Sequence, residues 1–162
     1  MSHDWSTFTL KIPVSSPVQK IYDMWTTRAN LEAWFLRKAE FTKPDGTVRE
    51  SKSSIQANDT YEWMWHGYPD SVAEHGKILA VNGKDHIKFS FGEAGIVSVH
   101  ISQQEDVSIV ELVQSEIPID EQSKVNYYFG CTQGWTFYLA NLKSILGGGI
   151  DLRNKNQNLK LD

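Results

Sequence analysis

The segment from Ser123 to Leu146, SKVNYYFGCTQGWTFYLANLKSIL, decides more about the fold than any other part of the chain. Apolar and aromatic residues recur in it at alternating spacings of three and four, which places them on one face of a long helix. This stripe consists of Val125, Tyr128, Thr132, Trp135, Leu139, Leu142 and Leu146. Because one helix cannot bury such a face by itself, a large apolar surface has to lie beneath it.

The preceding part of the chain offers that surface as a series of short strands. Apolar and polar residues alternate over several stretches, which is typical of strands with one buried face. These stretches are 6–14, 38–42, 60–66, 75–81, 86–91, 96–102 and 107–115. The serine-rich segment 47–55 fits either a weak edge strand or a loop, and the sequence leaves that choice open.

Two short helices are predicted between the first two strands. Ser16 and Gln19 have the spacing of a capping box, and Pro17 suits the first helical position. The helical pattern breaks at residues 26–28 and resumes as a second short face. The apolar positions of the first helix are Val18, Ile21, Tyr22 and Trp25, and those of the second are Leu31, Trp34 and Phe35.

This order of elements predicts an α+β fold. Strands adjacent in sequence usually pair, so they form an antiparallel meander, and the natural twist of a sheet curves it. We expect the curved antiparallel β-sheet to wrap around the long C-terminal helix, while the two short helices after the first strand close one end. A single domain covers residues 1–149. The polar segment 150–162 is predicted to be a C-terminal tail that is mobile at its end.

Several pieces of the chain resemble the START/Bet v 1-like (SRPBCC) superfamily, and within it the branch that is similar to the C-terminal domain of the activator of Hsp90 ATPase. They are SSPVQKIYDMWTT at 15–27, LEAWF at 31–35, HGKILAVNGKDHIKFSF at 75–91, GWTFYLANLKSIL at 134–146 and IDLR at 150–153. The resemblance implies a helix-grip fold with a cavity between the sheet and the last helix that holds a small apolar molecule. It also implies an Hsp90-type chaperone as a partner.

Aromatic residues supply the candidate binding site. The chain contains seven Phe, six Tyr and six Trp, enough to line a cavity or to fill a core. The sequence leaves both interpretations open. Gln114 shares a strand face with Val110 and Leu112 and would add a polar contact. The candidate ligand-binding residues are Trp34, Phe35, Trp63, Trp65, Phe89, Phe91, Gln114, Tyr128, Trp135 and Leu139.

Other kinds of site have little support in the sequence. The five histidines show neither i, i+4 pairing nor an HExxH motif, and Cys131 has no basic neighbour that would lower its pKa. Strand carboxylates such as Glu62 and Glu74 are expected on solvated faces. We therefore predict no metal, no cofactor and no catalytic residue.

The charge and hydropathy of the chain also bear on its partners. A net charge of −4 disfavours nucleic acid and anionic membranes. No segment is apolar enough to span a membrane, and no signal peptide is visible, so the predicted location is cytoplasmic.

Gly130 and Gly134 interrupt the long helix at a cost of about 1 kcal/mol each relative to alanine. Such a pair suggests that another backbone approaches the helix closely. We expect the sheet to be that neighbour, with a ligand as the alternative.

Three functions follow as hypotheses. The first is a non-enzymatic domain that binds a small apolar or aromatic molecule or a lipid. The second, implied by the resemblance, is a protein associated with an Hsp90-type chaperone. The third is a cyclase, dehydratase or hydrolase on the same fold, which would need ionisable side chains inside the cavity.

Overall fold

The structure, a computed structural model, describes residues 2–159. Its strands are β1 (Phe8–Val14), β2 (Lys38–Thr42), β3 (Thr60–Met64), β4 (Ala73–Val81), β5 (His86–Ser90), β6 (Ile96–Gln104) and β7 (Val107–Ser115). They form an antiparallel sheet in the order β1-β7-β6-β5-β4-β3-β2. Every strand except β1 pairs with its neighbour in sequence, as the meander predicts, and β1 joins the sheet beside β7.

Two short helices, α1 (Val18–Thr26) and α2 (Arg28–Trp34), connect β1 to β2. The last helix, which we label α3, has three consecutive parts: one turn at Glu121–Ser123, a π-helical stretch at Lys124–Phe129 and an α-helix at Gly130–Leu146. No helix within residues 2–159 is both long enough and apolar enough to cross a lipid bilayer.

The curved sheet and α3 enclose the core between them. Along β7 every second residue is buried, and these residues are Ser108, Val110, Leu112 and Gln114. From the opposite side α3 contributes Trp135, Leu139 and Leu142, which are also buried. The predicted α+β fold, a curved antiparallel sheet around the C-terminal helix, is confirmed.

The π-helical stretch corrects one part of the predicted helical stripe. A π turn bonds residue i to i+5, so residues before it are rotated relative to those after it. Val125, predicted to face the sheet, is 59% exposed, whereas Ser123 is buried. The prediction for Val125 is therefore wrong, because the 3.6-residue period does not continue through this stretch.

The start of α1 differs from the predicted one. No side chain caps α1, whose cap residue is Pro17, and Gln19 instead donates from Nε2 to Asp23. The predicted capping box is wrong.

Segment 47–55, which the sequence left open, is a loop. Two isolated bridges connect it to other parts of the chain, Thr42 to Val48 and Thr27 to Ser54.

A buried ion pair fixes the loop between β2 and β3. Arg49 donates from Nε and Nη2 to the carboxylate of Asp59 at 2.6 and 2.9 Å. The Asp59 side chain is fully buried, and that of Arg49 is 12% exposed. Because the backbone N–H of Gln56 also donates to Asp59, one carboxylate holds two points of the loop.

The start of the C-terminal tail is attached to the domain through Arg153. Its guanidinium donates to both carboxylate oxygens of Asp151, at 3.0 and 2.8 Å. It also donates to three backbone carbonyls at the end of α2, those of Glu32, Ala33 and Leu36. The predicted mobility of the tail end concerns in part residues 160–162, which lie outside the described residues.

Candidate functional site

A connected cluster of aromatic rings occupies the space between the sheet and α3. Phe35 lies at its centre, with its ring centroid 4.9 Å from that of Trp135 and 5.6 Å from that of Trp63. Trp63 in turn contacts Phe89 at 5.2 Å, and Trp135 contacts Phe91 at 5.5 Å. The members of this aromatic cluster are Trp25, Trp34, Phe35, Phe41, Tyr61, Trp63, Trp65, Phe89, Phe91, Trp135 and Tyr138.

The structure brings most of the candidate residues together in this cluster. The buried candidates are Trp34, Phe35, Trp63, Phe89 and Trp135, together with the aliphatic Leu139. Trp65 and Phe91 are only partly buried, so they form the rim of the cluster. Burial and contact establish a shared location, and the role of these residues in ligand binding stays a prediction.

Tyr128 is the candidate that lies elsewhere. Its ring contacts Trp5 at 5.0 Å and Phe8 at 5.6 Å, and its hydroxyl lies 2.7 Å from Nε2 of His3. Tyr128 belongs to the π-helical stretch, where the period used to place it does not hold. It therefore packs beside the N-terminal segment.

Four cluster members were absent from the candidate set: Trp25, Phe41, Tyr61 and Tyr138. Tyr61 stacks on Trp63 at 3.8 Å, and its alternation with Trp63 along β3 was a usable signal. Trp25 lies four residues after Ile21 and therefore on the same face of the first helix, which was a second usable signal. Tyr138 lies outside the predicted helical stripe, so no spacing pointed to it. It is nevertheless partly enclosed, and burial raises the pKa of its phenol to about 12.

Gln114 is the buried polar centre of this region. Its Oε1 accepts a hydrogen bond from Nε1 of Trp135, and its Nε2 donates to the Ala94 carbonyl, both at 2.9 Å. Cys131 lies beside it, and burial raises the pKa of the Cys131 thiol while its hydrogen bond with Gln114 acts in the opposite direction. A thiol with a raised pKa is a poor nucleophile at neutral pH. Gln114 thus links the sheet to α3.

Two of the four buried tryptophans have unpaired indole N–H groups. Nε1 of Trp34 donates to the Met24 carbonyl at 2.8 Å, and Trp135 donates to Gln114. Within residues 2–159 no acceptor is placed for Nε1 of Trp25 or of Trp63, although these residues are only 1% and 2% exposed. Buried donors without a partner are uncommon in native proteins and call for an explanation.

The aromatic rings contact one another across the interior in this conformation. Two pockets of the described residues lie on the surface: one on the outer side of α3, and one between the start of α1 and the turn from β6 to β7. Neither is lined by the cluster. The cluster reaches solvent at its rim, where Trp65, Phe91 and Tyr138 are partly buried.

Glu74 is an ionisable side chain on the inner side of the sheet. It pairs with Trp63 across β3 and β4, and it lies on the same face of β4 as the buried Ile78. Burial raises the pKa of its carboxyl. The expectation of a solvated face is wrong for Glu74, but a single carboxyl does not make an acid–base pair.

Within residues 2–159, no group of three or more His, Cys, Asp or Glu side chains is placed to hold a metal ion.

These features define a helix-grip domain with an aromatic interior. The model of the family described as "Activator of Hsp90 ATPase homolog 1-like protein" matches residues 15–147, so the chain belongs to this family. The resemblance to this branch of the START/Bet v 1-like superfamily is confirmed. A comparison with curated proteins finds no match.

Solved structures show the same fold at low sequence identity. A protein from Staphylococcus saprophyticus has a TM-score of 0.70 and 17% identity, covering 91% of this chain and 96% of its own. The Aha1 dimer from Colwellia psychrerythraea has a TM-score of 0.64 and 14% identity, with 86% and 95% covered. DynU16, a protein in the dynemicin biosynthetic locus, has a TM-score of 0.69 and 14% identity, with 93% and 50% covered.

Proposed function

We propose that this domain binds a small, flat, apolar molecule that carries hydrogen-bond acceptors, within the aromatic cluster. The observation that carries the proposal is the pair of buried indole N–H groups of Trp25 and Trp63, for which the described residues supply no acceptor. An unpaired buried donor costs about 1–3 kcal/mol. A carbonyl or hydroxyl oxygen on a ligand would recover that energy, and the surrounding rings would stack on its flat faces.

The rim of the cluster offers the route of entry. Trp65 follows β3 and begins the loop to β4, and this loop is held by Arg37, which pairs with Asp70 at 2.6 Å and donates to the Trp65 carbonyl at 3.4 Å. The Asp70 side chain is 81% exposed, so this ion pair contributes at most about 1 kcal/mol. A modest rearrangement of the loop would therefore let Trp65 move and give a ligand access to Phe35 and Trp63.

The similarity to DynU16 is in keeping with a small-molecule role, because that protein belongs to a biosynthetic locus. Gln114 adds a polar group on the inner face that orients Trp135. Both points support the proposal without naming a ligand.

The first prediction compares two probes of the same shape. 9-Fluorenone carries a carbonyl acceptor, and fluorene does not. We expect fluorenone to bind roughly 3- to 10-fold more tightly, since one recovered hydrogen bond contributes about 0.5–1.5 kcal/mol. Two-dimensional ¹H–¹⁵N spectra of the indole groups would report the site directly, with the Trp25 or Trp63 signal moving on addition of fluorenone.

A matched pair of variants controls this experiment. Trp25→Phe removes an unpaired N–H, whereas Trp34→Phe removes one that bonds to Met24, and the two rings lie only 4.7 Å apart. Phenylalanine at whichever of Trp25 and Trp63 gives the moving signal should abolish the preference for fluorenone over fluorene, and Trp25→Phe should destabilise the fold less than Trp34→Phe. Indole shifts confined to Trp5 or to the rim residue Trp65, or equal affinity of both probes, would contradict a ligand site in the buried part of the cluster.

A second candidate, binding to an Hsp90-type chaperone, is supported by the family to which the chain belongs. If it holds, the domain should raise the ATPase rate of an Hsp90 from the same host at least severalfold, and fluorenone should leave this effect intact. An unchanged ATPase rate together with no complex in sedimentation would exclude it. The ligand-binding assay and the ATPase assay are separate, so a negative result in one does not decide the other.

A further inference from the structure

The two glycines of α3 leave open space beside the helix. Apart from adjoining backbone, a Cβ built at Gly134 would have no atom of residues 2–159 within 4 Å, and one at Gly130 would meet a single backbone oxygen at 3.7 Å. The expectation that the sheet approaches these glycines is therefore wrong. Gly134 lies three residues after Cys131 and four residues before Tyr138, so the three share one side of α3. The open space thus adjoins the rim of the aromatic cluster.

Two carboxyl groups reach this side of α3 from the sheet. Glu74 lies against the turn between β5 and β6, where a Cβ added to Gly92 would collide with its carboxyl group. Glu93, in the same turn, accepts a hydrogen bond from the Tyr127 hydroxyl of α3 at 3.1 Å. Burial raises the pKa of the Cys131 thiol, and the negative charge of Glu74 adds to this rise. We use the term polar mouth for Glu74, Glu93, Tyr127, Cys131 and Gly134.

Neither carboxylate of the polar mouth has a cation to balance it. Within residues 2–159, no side-chain nitrogen of Lys, Arg or His lies within 4 Å of Glu74 or Glu93. By contrast, Glu62 on the outer face of β3 pairs with Lys38 at 2.7 Å. Burial raises the pKa of the half-buried Glu74 carboxyl, and the neighbouring charge of Glu93 acts in the same direction. A cation bound here would therefore be stabilised by two carboxylates that the chain leaves unpaired.

The surroundings of the polar mouth favour an organic cation. The same part of the chain places no group of three His, Cys, Asp or Glu side chains to hold a metal ion. Phe91 and Trp65 at the rim offer aromatic faces, which attract ammonium groups. The unpaired indole N–H of Trp63, a residue only 2% exposed, belongs to the direct partner of Glu74 in the register of β3 and β4. This buried donor independently calls for a ligand next to the carboxylates.

We propose that the polar mouth binds the protonated amine of a flat ligand whose rings lie in the aromatic cluster. The amine site rests on the proposed ligand site, because the cluster would hold the body of the same molecule. Glu74 receives the ammonium group, and the open space beside Gly134 accommodates the carbon that links it to the rings. The ligand then carries a cation at one end and a hydrogen-bond acceptor within reach of the Trp63 indole.

Two naphthalene probes of nearly the same shape test the amine site on the whole chain. At about pH 7.5, 1-naphthylmethylamine is a cation, as a lysine side chain is, and 1-naphthalenemethanol is neutral. We expect isothermal titration calorimetry to show at least about threefold tighter binding of the amine, since hydrogen bonds to charged groups are the stronger ones. Glu74→Gln keeps the size of the side chain and should abolish this preference. Glu62→Gln, on the outer face of the same sheet, should leave it unchanged.

Two controls keep this result interpretable. Glu74→Gln should have the Tm of the wild type or a higher one at about pH 7.5, because it removes a half-buried charge that no cation balances. It should also bind 9-fluorenone as the wild type does. Equal affinity for amine and alcohol, or an equal loss of preference in Glu62→Gln and Glu74→Gln, would overturn the amine site while fluorenone binding still supported the ligand site. Failure of the wild type to bind either the amine or fluorenone would overturn both.

Discussion

Replacing Asp59 with asparagine should lower the free energy of unfolding by about 3 kcal/mol. The Asp59 side chain is fully buried and accepts hydrogen bonds from Arg49 at 2.6 and 2.9 Å and from the backbone of Gln56. The substitution keeps the shape of the side chain but removes its charge, which leaves the nearly buried guanidinium of Arg49 without a counterion. Breaking a buried ion pair in this way typically costs 3–5 kcal/mol. Urea unfolding at pH 7 measures the loss.

The chain contains a matched control for this experiment. Arg37 and Asp70 form a pair of the same chemistry at the same 2.6 Å distance, but Asp70 is 81% exposed. Asp70→Asn should cost at most about 1 kcal/mol, since surface ion pairs contribute little. Equal losses for Asp59→Asn and Asp70→Asn would show that burial does not control the strength of these pairs, contrary to this expectation.

The fold was predictable because its main signals are periodic and agree with one another. Alternation placed β7 and its buried residues Val110, Leu112 and Gln114, and the spacing of Trp135, Leu139 and Leu142 placed α3 against the sheet. The error at Val125 has a specific cause. A π-helical stretch leaves no mark in a pattern of hydrophobic residues, and within it the count of 3.6 residues per turn selects the wrong side chains.

The candidate site was predictable in its location but not in its chemistry. Residues on the inner faces of β3, β5 and α3 were expected to meet, and Trp63, Phe89 and Trp135 do so. Sequence patterns give the direction of a side chain, not the distance between two rings. The unpaired N–H groups of Trp25 and Trp63 therefore depend on three-dimensional packing that no spacing rule describes.

The π-helical stretch also accounts for the two different sides of α3. It rotates the residues before Gly130, so Tyr128 packs against Trp5 and Phe8 while Phe129 is exposed. The inner side then consists of Trp135, Leu139 and Leu142, which close the aromatic interior. One helix thus closes the aromatic interior on one side and exposes Phe129 and Phe137 on the other.

Replacing Arg153 with methionine should cost about 2–4 kcal/mol and loosen the tail around residues 150–153. Methionine fills a similar volume, but it leaves three α2 carbonyls without their donor and removes the guanidinium from the Asp151 carboxylate. The Arg153 side chain is only 2% exposed, so water replaces these bonds poorly. Urea unfolding would measure the loss of stability, and amide hydrogen exchange at residues 150–153 would measure the loosening.

The effect of Arg153 also depends on pH, and the sign follows from Asp151. Hydrogen bonds from Arg153 hold the pKa of the Asp151 carboxyl well below its ordinary 3.8. A lowered pKa in the folded state contributes stability above the unfolded pKa and loses it as the pH falls below that value. The difference in free energy of unfolding between wild type and Arg153→Met should therefore be largest near pH 7 and decrease below about pH 4. Lys155→Met, which removes a 53% exposed partner of the same carboxylate, should cost less than about 1 kcal/mol at pH 7. A difference between wild type and Arg153→Met that stays constant down to pH 2.5 would mean that Asp151 does not share in this attachment.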